Sequence, residues 1–211
     1  LMNYKETIKN IKEYCDQDIK IIIILRNPIE QIFSNYSHKI REGFESVTFK
    51  EALATEEKRT KDNFSMRYAY KKNAMYFNQV KAFQDSFRNV KVYLFDEMFD
   101  QNNNFSDVFI NDLYSFLEVK DNKKRFNHHL NRTGKQRFFI LSLLIKFLSS
   151  NKKVSNFFKK LGFKKYYMKL KSFNIQAQKI DDDSKKYLLN YFHSEILLLE
   201  KLISKKLSHW L

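Results

Sequence analysis

At 211 residues and 43% apolar, the chain is long enough for one globular domain with a sizeable core. Its 39 Lys and Arg against 24 Asp and Glu leave a net charge of +15, which calls for an anionic partner such as a nucleotide, a nucleic acid, an acidic glycan or a membrane surface. A single Cys excludes an internal disulfide framework, three Gly exclude a Gly-rich phosphate loop within these residues, and no run of about 18 apolar residues reads as a membrane span. The first residues do not form a signal peptide, and a cytoplasmic setting is expected.

Tyr4 to Tyr14 carries Ile8, Ile11 and Tyr14 on one helical face and leads into a strand over Lys20 to Leu25. The run IIIIL has no polar alternation, so the strand is expected to be covered on both faces, as in a parallel sheet sandwiched by helices. Asn27 can cap the next helix, Pro28 suits its first turn, and Glu30 stands three residues on, as in a capping box. Ile29, Ile32, Phe33, Tyr36 and Ile40 then recur at helical spacing. Arg26 is left at the carboxyl end of a strand beside a helix N-terminus. Position alone leaves two readings open, a phosphate-binding guanidinium or a structural Arg paired with a carboxylate.

Thr48 and Glu51 form a second capping-box pattern ahead of a helix to about Arg59, and Lys61 to Met66 reads as a loop. Tyr76, Val80, Phe83 and Phe87 mark one face of a helix, and VKVYLF, Val90 to Phe95, reads as a second strand. Strand, helical crossover and strand make a parallel pair. Glu97 follows this strand and is read as structural. Phe105 to Glu118 reads as a helix. His128 to Arg137, HHLNRTGKQR, reads as an exposed basic loop able to close over an anion, and its two His lack the further ligands of a zinc site, so no metal is expected.

Phe138 to Leu148 is apolar almost all round. Between Asn151 and Lys171, basic residues interleave with Phe157, Phe158, Phe163, Tyr166 and Tyr167. The preferred reading of that stretch is an amphipathic hairpin with a solvated lysine face. The alternative is peripheral membrane or polyanion contact through 152–171. A last helix starts at Asp183 or Ser184 and turns Leu188, Leu189, Phe192, Ile196, Leu199 and Ile203 inward.

Three segments carry a family resemblance. LRNPIEQIFSNY resembles the 3′-phosphate-binding segment of sulfotransferases that use 3′-phosphoadenosine 5′-phosphosulfate. REGFES with FKEALATEEKR, and the ending YFHSEILLLEKLISKKLSHW, are similar to segments of bacterial members. The resemblance implies a P-loop-NTPase-like α/β fold, a parallel sheet covered by helices in a single domain over 1–211, with 138–211 mainly helical. It also implies sulfuryl transfer from that nucleotide to a hydroxyl or amine of an acceptor, with a saccharide as the expected class. Arg26 and Ser34 would hold the 3′-phosphate, although Ser34 lies about 10 Å along the helix axis from the cap. Asn131, Thr133, Gly134, Lys135 and Arg137 would complete the nucleotide pocket. The chain departs from many relatives at Gln31.

Nothing before Arg26 matches the family's 5′-phosphosulfate loop or its general base, and two strands are few for a covered parallel sheet, so the sequence is expected to be the carboxyl-terminal two-thirds of a longer domain. The rival functions are a basic polyanion- or membrane-binding module without catalysis, a kinase relative using a nucleoside triphosphate, and an inactive remnant. Nucleic acid is not expected as a partner, since no recognised binding motif occurs.

Overall fold

The computed structural model describes residues 3–16, 18–61, 68–120 and 179–211, together with the backbone of two short strands at 135–136 and 175–176. The loop expected at Lys61 to Met66 falls outside these residues, apart from Lys61 itself. So do the apolar helix at Phe138 to Leu148 and the basic stretch at 152–171. The chain divides into two compact units, one of residues Leu1–Ile32, Phe49–His129 and Asp182–Leu211, the other of Phe33–Thr48 and Leu130–Asp181.

The first unit is built on two parallel strands, β1 (Lys20–Leu25) and β2 (Asn89–Leu94), paired in register from Lys20 opposite Asn89 to Leu25 opposite Leu94. Their last residues, Leu25 and Leu94, are wholly buried. The amino-terminal helix α1 (Tyr4–Tyr14) has its expected bounds. Helix α2 (Pro28–Glu42) begins in this unit, with Pro28, Ile29 and Ile32 buried. The helix expected from the Thr48 box to Arg59 is two helices, α3 (Phe49–Ala54) and α4 (Glu56–Lys61). Between them the Thr55 hydroxyl donates to the Glu51 carbonyl at 2.7 Å, while the backbone bonds Thr55 N to Glu51 O and Arg59 N to Thr55 O, both 2.9 Å, carry the chain from one helix into the next.

The single turn α5 (Tyr70–Asn73) and helix α6 (Tyr76–Ser86) lead to β2. Tyr76, Val80, Phe83 and Phe87 are all buried, as their spacing predicts, and α6 lies against α1, β2 and the long carboxyl-terminal helix. After β2, Phe95–Met98 forms a 3-10 turn. Helix α7 (Asp107–Leu117) starts at Ser106, whose hydroxyl accepts from Phe109 N at 3.2 Å. Tyr93, Met98 and Phe109 form a small aromatic core with Phe95, Phe99 and Phe105 around it.

The second unit contains the rest of α2, a turn, and the two-residue strands β3 (Lys135–Gln136) and β4 (Ile175–Gln176), which pair antiparallel. Gly43 ends α2 at φ 77°, where an L side chain is strained, while Phe44 N donates back to the Lys39 carbonyl at 2.9 Å. The Tyr36 hydroxyl donates to the Val47 carbonyl at 2.9 Å and fixes the return of the chain. The last helix, α8 (Asp182–Ile203), belongs to the first unit. It buries Leu188, Phe192, Ile196 and Leu199 as expected, whereas Leu189 and Ile203 are only half-buried.

One expectation is corrected. β1 is covered on one face only: Ile23 and Leu25 are buried, while Ile22 and Ile24 are 37% and 50% exposed. Four consecutive Ile say that both faces are apolar but not what covers them, and among the described residues no third strand joins the β1–β2 sheet. No described helix is long and apolar enough to cross a membrane.

Candidate functional site

The two parallel strands end side by side, so the residues that follow them, Arg26 and Phe95, are brought together at their carboxyl ends. The Arg26 guanidinium carbon stands 5.3 Å from the centre of the Phe95 ring, a cation–π contact that leaves the guanidinium edges for other partners. Two of its donors, Nε and Nη2, go to Glu30 Oε2 at 3.1 and 3.0 Å. Arg26 has five N–H donors, and among the described residues no hydrogen bond engages the other three.

The capping box is therefore only half formed. Asn27 caps α2 as expected, its Oδ1 accepting from Ile29 N at 3.0 Å and its carbonyl from Gln31 N at 2.9 Å. Glu30 does not reach back to the cap, because the Arg26 charge one turn away competes for its carboxylate. Both readings of Arg26 left open by position thus meet in one geometry: a carboxylate-paired Arg beside a helix start. The pair is exposed, with Arg26 at 33% and Glu30 at 59% of the side chain, so solvent screens it and an incoming anion displaces Glu30 at a cost of about 0–1 kcal/mol.

The carboxyl-terminal segment closes around the same strand ends. Asn27 Nδ2 donates to the Trp210 carbonyl at 3.5 Å, and Trp210 itself is buried. His209 Nε2 is 2.6 Å from Asp96 Oδ2, and Lys205 Nζ donates to Glu97 Oε2 at 2.5 Å. The contacts run in a ring: Arg26 to Phe95, Asp96 to His209, and Trp210 back to Asn27. The Glu97–Lys205 pair is solvent-screened, its side chains 50% and 33% exposed.

Tyr76, the first residue of α6, is 4% exposed, and its hydroxyl has no hydrogen-bond partner among the described residues. Burial raises its ionisation well above the ordinary phenol range, and the opposing influence is the positive charge of Arg26. Sequence reading took Tyr76 only as part of a buried helix face and overlooked Asp96 and His209. The one available signal was an acidic pair, Asp96 and Glu97, directly after a parallel strand.

Of the other site residues expected from sequence, Ser34 is half-buried on α2, about two turns beyond its cap. It belongs to the second compact unit, whereas Arg26 belongs to the first. Lys135 is described only as backbone in β3. Asn131, Thr133, Gly134 and Arg137, with the rest of the expected His128 to Arg137 loop save Gln136, lie outside the described residues. Among the described residues no three His, Cys, Asp or Glu side chains gather as metal ligands do.

The fold is similar to the crystal structure of a sulfotransferase from Alicyclobacillus acidocaldarius, with a TM-score of 0.69 and 24% identity over 99% of this chain. The chain spans 64% of that protein's length. No family model matches the sequence, and no curated protein matches it. The likeness shows a sulfotransferase-like α/β fold.

Proposed function

We propose that the Arg26 turn binds the 3′-phosphate of 3′-phosphoadenosine 5′-phosphosulfate in a sulfotransferase whose acceptor is a hydroxyl or amine, with a saccharide as the favoured class. The observation that carries this reading is Arg26 itself, placed by β1 beside the capped start of α2, with three N–H donors that no described residue engages. The likeness of fold to a sulfotransferase supports it. Sulfuryl transfer breaks the bond between sulfur and the bridging oxygen of the 5′-phosphosulfate, forms an S–O bond to a hydroxyl or an S–N bond to an amine as that acceptor gives up its proton, and releases adenosine 3′,5′-bisphosphate. The role assigned to this chain is to hold the nucleotide while that exchange takes place.

The chemistry of the donors fits an anion. A dianionic phosphate offers several acceptor oxygens and more charge than the single carboxylate of Glu30, so it wins the planar fork of Arg26. Such a charge-assisted contact is worth about 2–3 kcal/mol, which gives roughly hundredfold discrimination against a nucleotide lacking the 3′-phosphate. Ser34 is proposed as a second contact to the same phosphate, and Asn131, Thr133, Gly134, Lys135 and Arg137 as the segment that completes the nucleotide pocket.

Calorimetric titration with adenosine 3′,5′-bisphosphate, with adenosine 5′-phosphate as control, tests the reading. The expected result is a strong preference for the bisphosphate that disappears in Arg26→Ala while the variant remains folded. Equal bisphosphate affinity in the variant and the parent sinks the assignment.

A further inference from the structure

We infer that Asp96 and His209 are positioning residues of the anion site: their pair latches the carboxyl-terminal turn across the strand ends, and the latched turn steadies the two supports of Arg26, the Phe95 ring and the Asn27 cap. The inference rests on the nucleotide reading above and adds two residues to it. A closed ring of contacts carries it. The Arg26 guanidinium lies 5.3 Å from the Phe95 ring, and Asp96, next in the chain, has its Oδ2 2.6 Å from His209 Nε2. Trp210 follows His209, and its carbonyl accepts from Asn27 Nδ2 at 3.5 Å, beside Arg26 again.

Arg26 needs such support. Its long side chain has several rotors, and two of its donors are drawn to an exposed carboxylate, so its aim toward an anion depends on what lies under the guanidinium plane. That support is Phe95, the first residue of a 3-10 turn with no side-chain cap of its own. The residues after it, Asp96 and Glu97, are instead both held from the carboxyl-terminal segment, by His209 and by Lys205 at 2.5 Å. A carboxylate only accepts, so the His209 Nε2 proton lies in its bond to Asp96. On the other side of Arg26, the Asn27 amide is held at both ends, Oδ1 by Ile29 N and Nδ2 by Trp210.

The turn that makes both contacts is itself well tied. Ser208–Trp210 is a 3-10 turn, Trp210 N donates to the Leu207 carbonyl at 2.9 Å, and Leu207 N donates to Glu200 Oε2 at 2.6 Å. The Leu207 and Trp210 side chains are buried and seat the turn, while the polar pairs set its register on the strand ends. Either pair alone is exposed and contributes little, but two pairs between one dipeptide and one short segment share the cost of ordering. His209 thus acts on Arg26 through Asp96 and Phe95, and no contact with the nucleotide is assigned to it.

The test compares His209→Ala, Asp96→Ala, the double variant and His209→Gln, which keeps an N–H for Asp96, with the parent and Arg26→Ala. Each is titrated with adenosine 3′,5′-bisphosphate and adenosine 5′-phosphate and unfolded in urea, and the emission of Trp210, the one tryptophan of the chain, reports whether the turn has lifted. Bisphosphate binding is expected to be about three- to fivefold weaker in His209→Ala and in Asp96→Ala, no weaker in the double variant than in either single one, and near the parent's in His209→Gln. Monophosphate binding should hardly change, and Trp210 emission should shift to the red in the three alanine variants at this pair. The sign for Asp96→Ala is decisive, because charge alone predicts tighter anion binding when a carboxylate is removed from the strand ends. Tighter bisphosphate binding in that variant overturns the latch. A pair that only stabilises the fold would lower the urea midpoint and leave the ratio of the two nucleotide affinities at the parent's value. That ratio in His209→Ala, with Arg26→Ala still impaired, overturns this inference alone. A parent chain that shows no preference for the bisphosphate overturns the nucleotide reading and this inference with it.

Discussion

Glu195 shows how one side chain can start a helix far away in sequence. It lies on α8, yet its carboxylate accepts from Phe77 N at the beginning of α6, 118 residues distant, where Met75 provides no side-chain cap. Burial raises the Glu195 carboxyl above its ordinary value, and the Phe77 N–H opposes the rise. A raised folded value means that the ionised form costs stability at neutral pH, and that the cost is relieved as pH falls through the folded value toward the ordinary range near about 4.3. Glu195→Gln keeps an acceptor for Phe77 and removes the buried charge. It should be at least as stable as the parent at neutral pH, with the gap closing on acidification. Glu195→Ala leaves the N–H orphaned and should lose about 1–2 kcal/mol. Urea unfolding of the three proteins across that pH range decides the matter, and a Glu195→Ala midpoint equal to the parent's would mean that the cap contributes nothing.

Among the elements, β1 sets a different problem, because its two faces are chemically alike and physically different. Ile23 is 4% exposed and Ile24 is 50% exposed, although they are neighbours of one kind. Ile22 and Ile24 line an open groove of about 370 Å³ with Ile11 and Phe83. A strand face bearing exposed apolar side chains invites association. Ile24→Thr keeps the β-branched shape and should reduce self-association in sedimentation experiments, with a stability change within about 0.5 kcal/mol, whereas Ile23→Ala should cost about 2–5 kcal/mol. Reversed costs would mean that the exposed face is covered in solution. The same strand marks what was legible in the sequence. Its bounds were, because a five-residue apolar run followed by Arg, Asn and Pro admits few alternatives, and so was the buried face of α6. The difference between the faces was not, since an unalternating run carries no period. Arg26 was legible because strand end and cap adjoin in sequence. Glu30 and the Asp96–His209 pair acquire their meaning from the partners beside them, and the helix that the Thr48 capping box suggested was continuous is interrupted at Thr55.

For the whole molecule, a net charge of +15 attracts any polyanion, so binding to an acidic partner cannot by itself distinguish a built site from diffuse attraction. The two respond differently to salt and to a single substitution. A polyanion gains affinity by releasing condensed counterions, and such affinity falls by orders of magnitude between about 50 and 200 mM salt. It depends on the sum of many charges, and Arg26→Ala lowers that sum only from +15 to +14. A nucleotide held at Arg26 depends on one guanidinium and its geometry. The expected outcome is that Arg26→Ala elutes from a sulfated-polysaccharide resin at nearly the parent's salt concentration while losing most of its affinity for adenosine 3′,5′-bisphosphate. In the parent, the nucleotide should also survive a rise in salt that releases the polysaccharide. If both affinities fell together in Arg26→Ala, or if salt abolished both in parallel, the strand-end turn would be one part of an extended basic surface. The polyanion-binding module would then account for the charge better than the nucleotide site does.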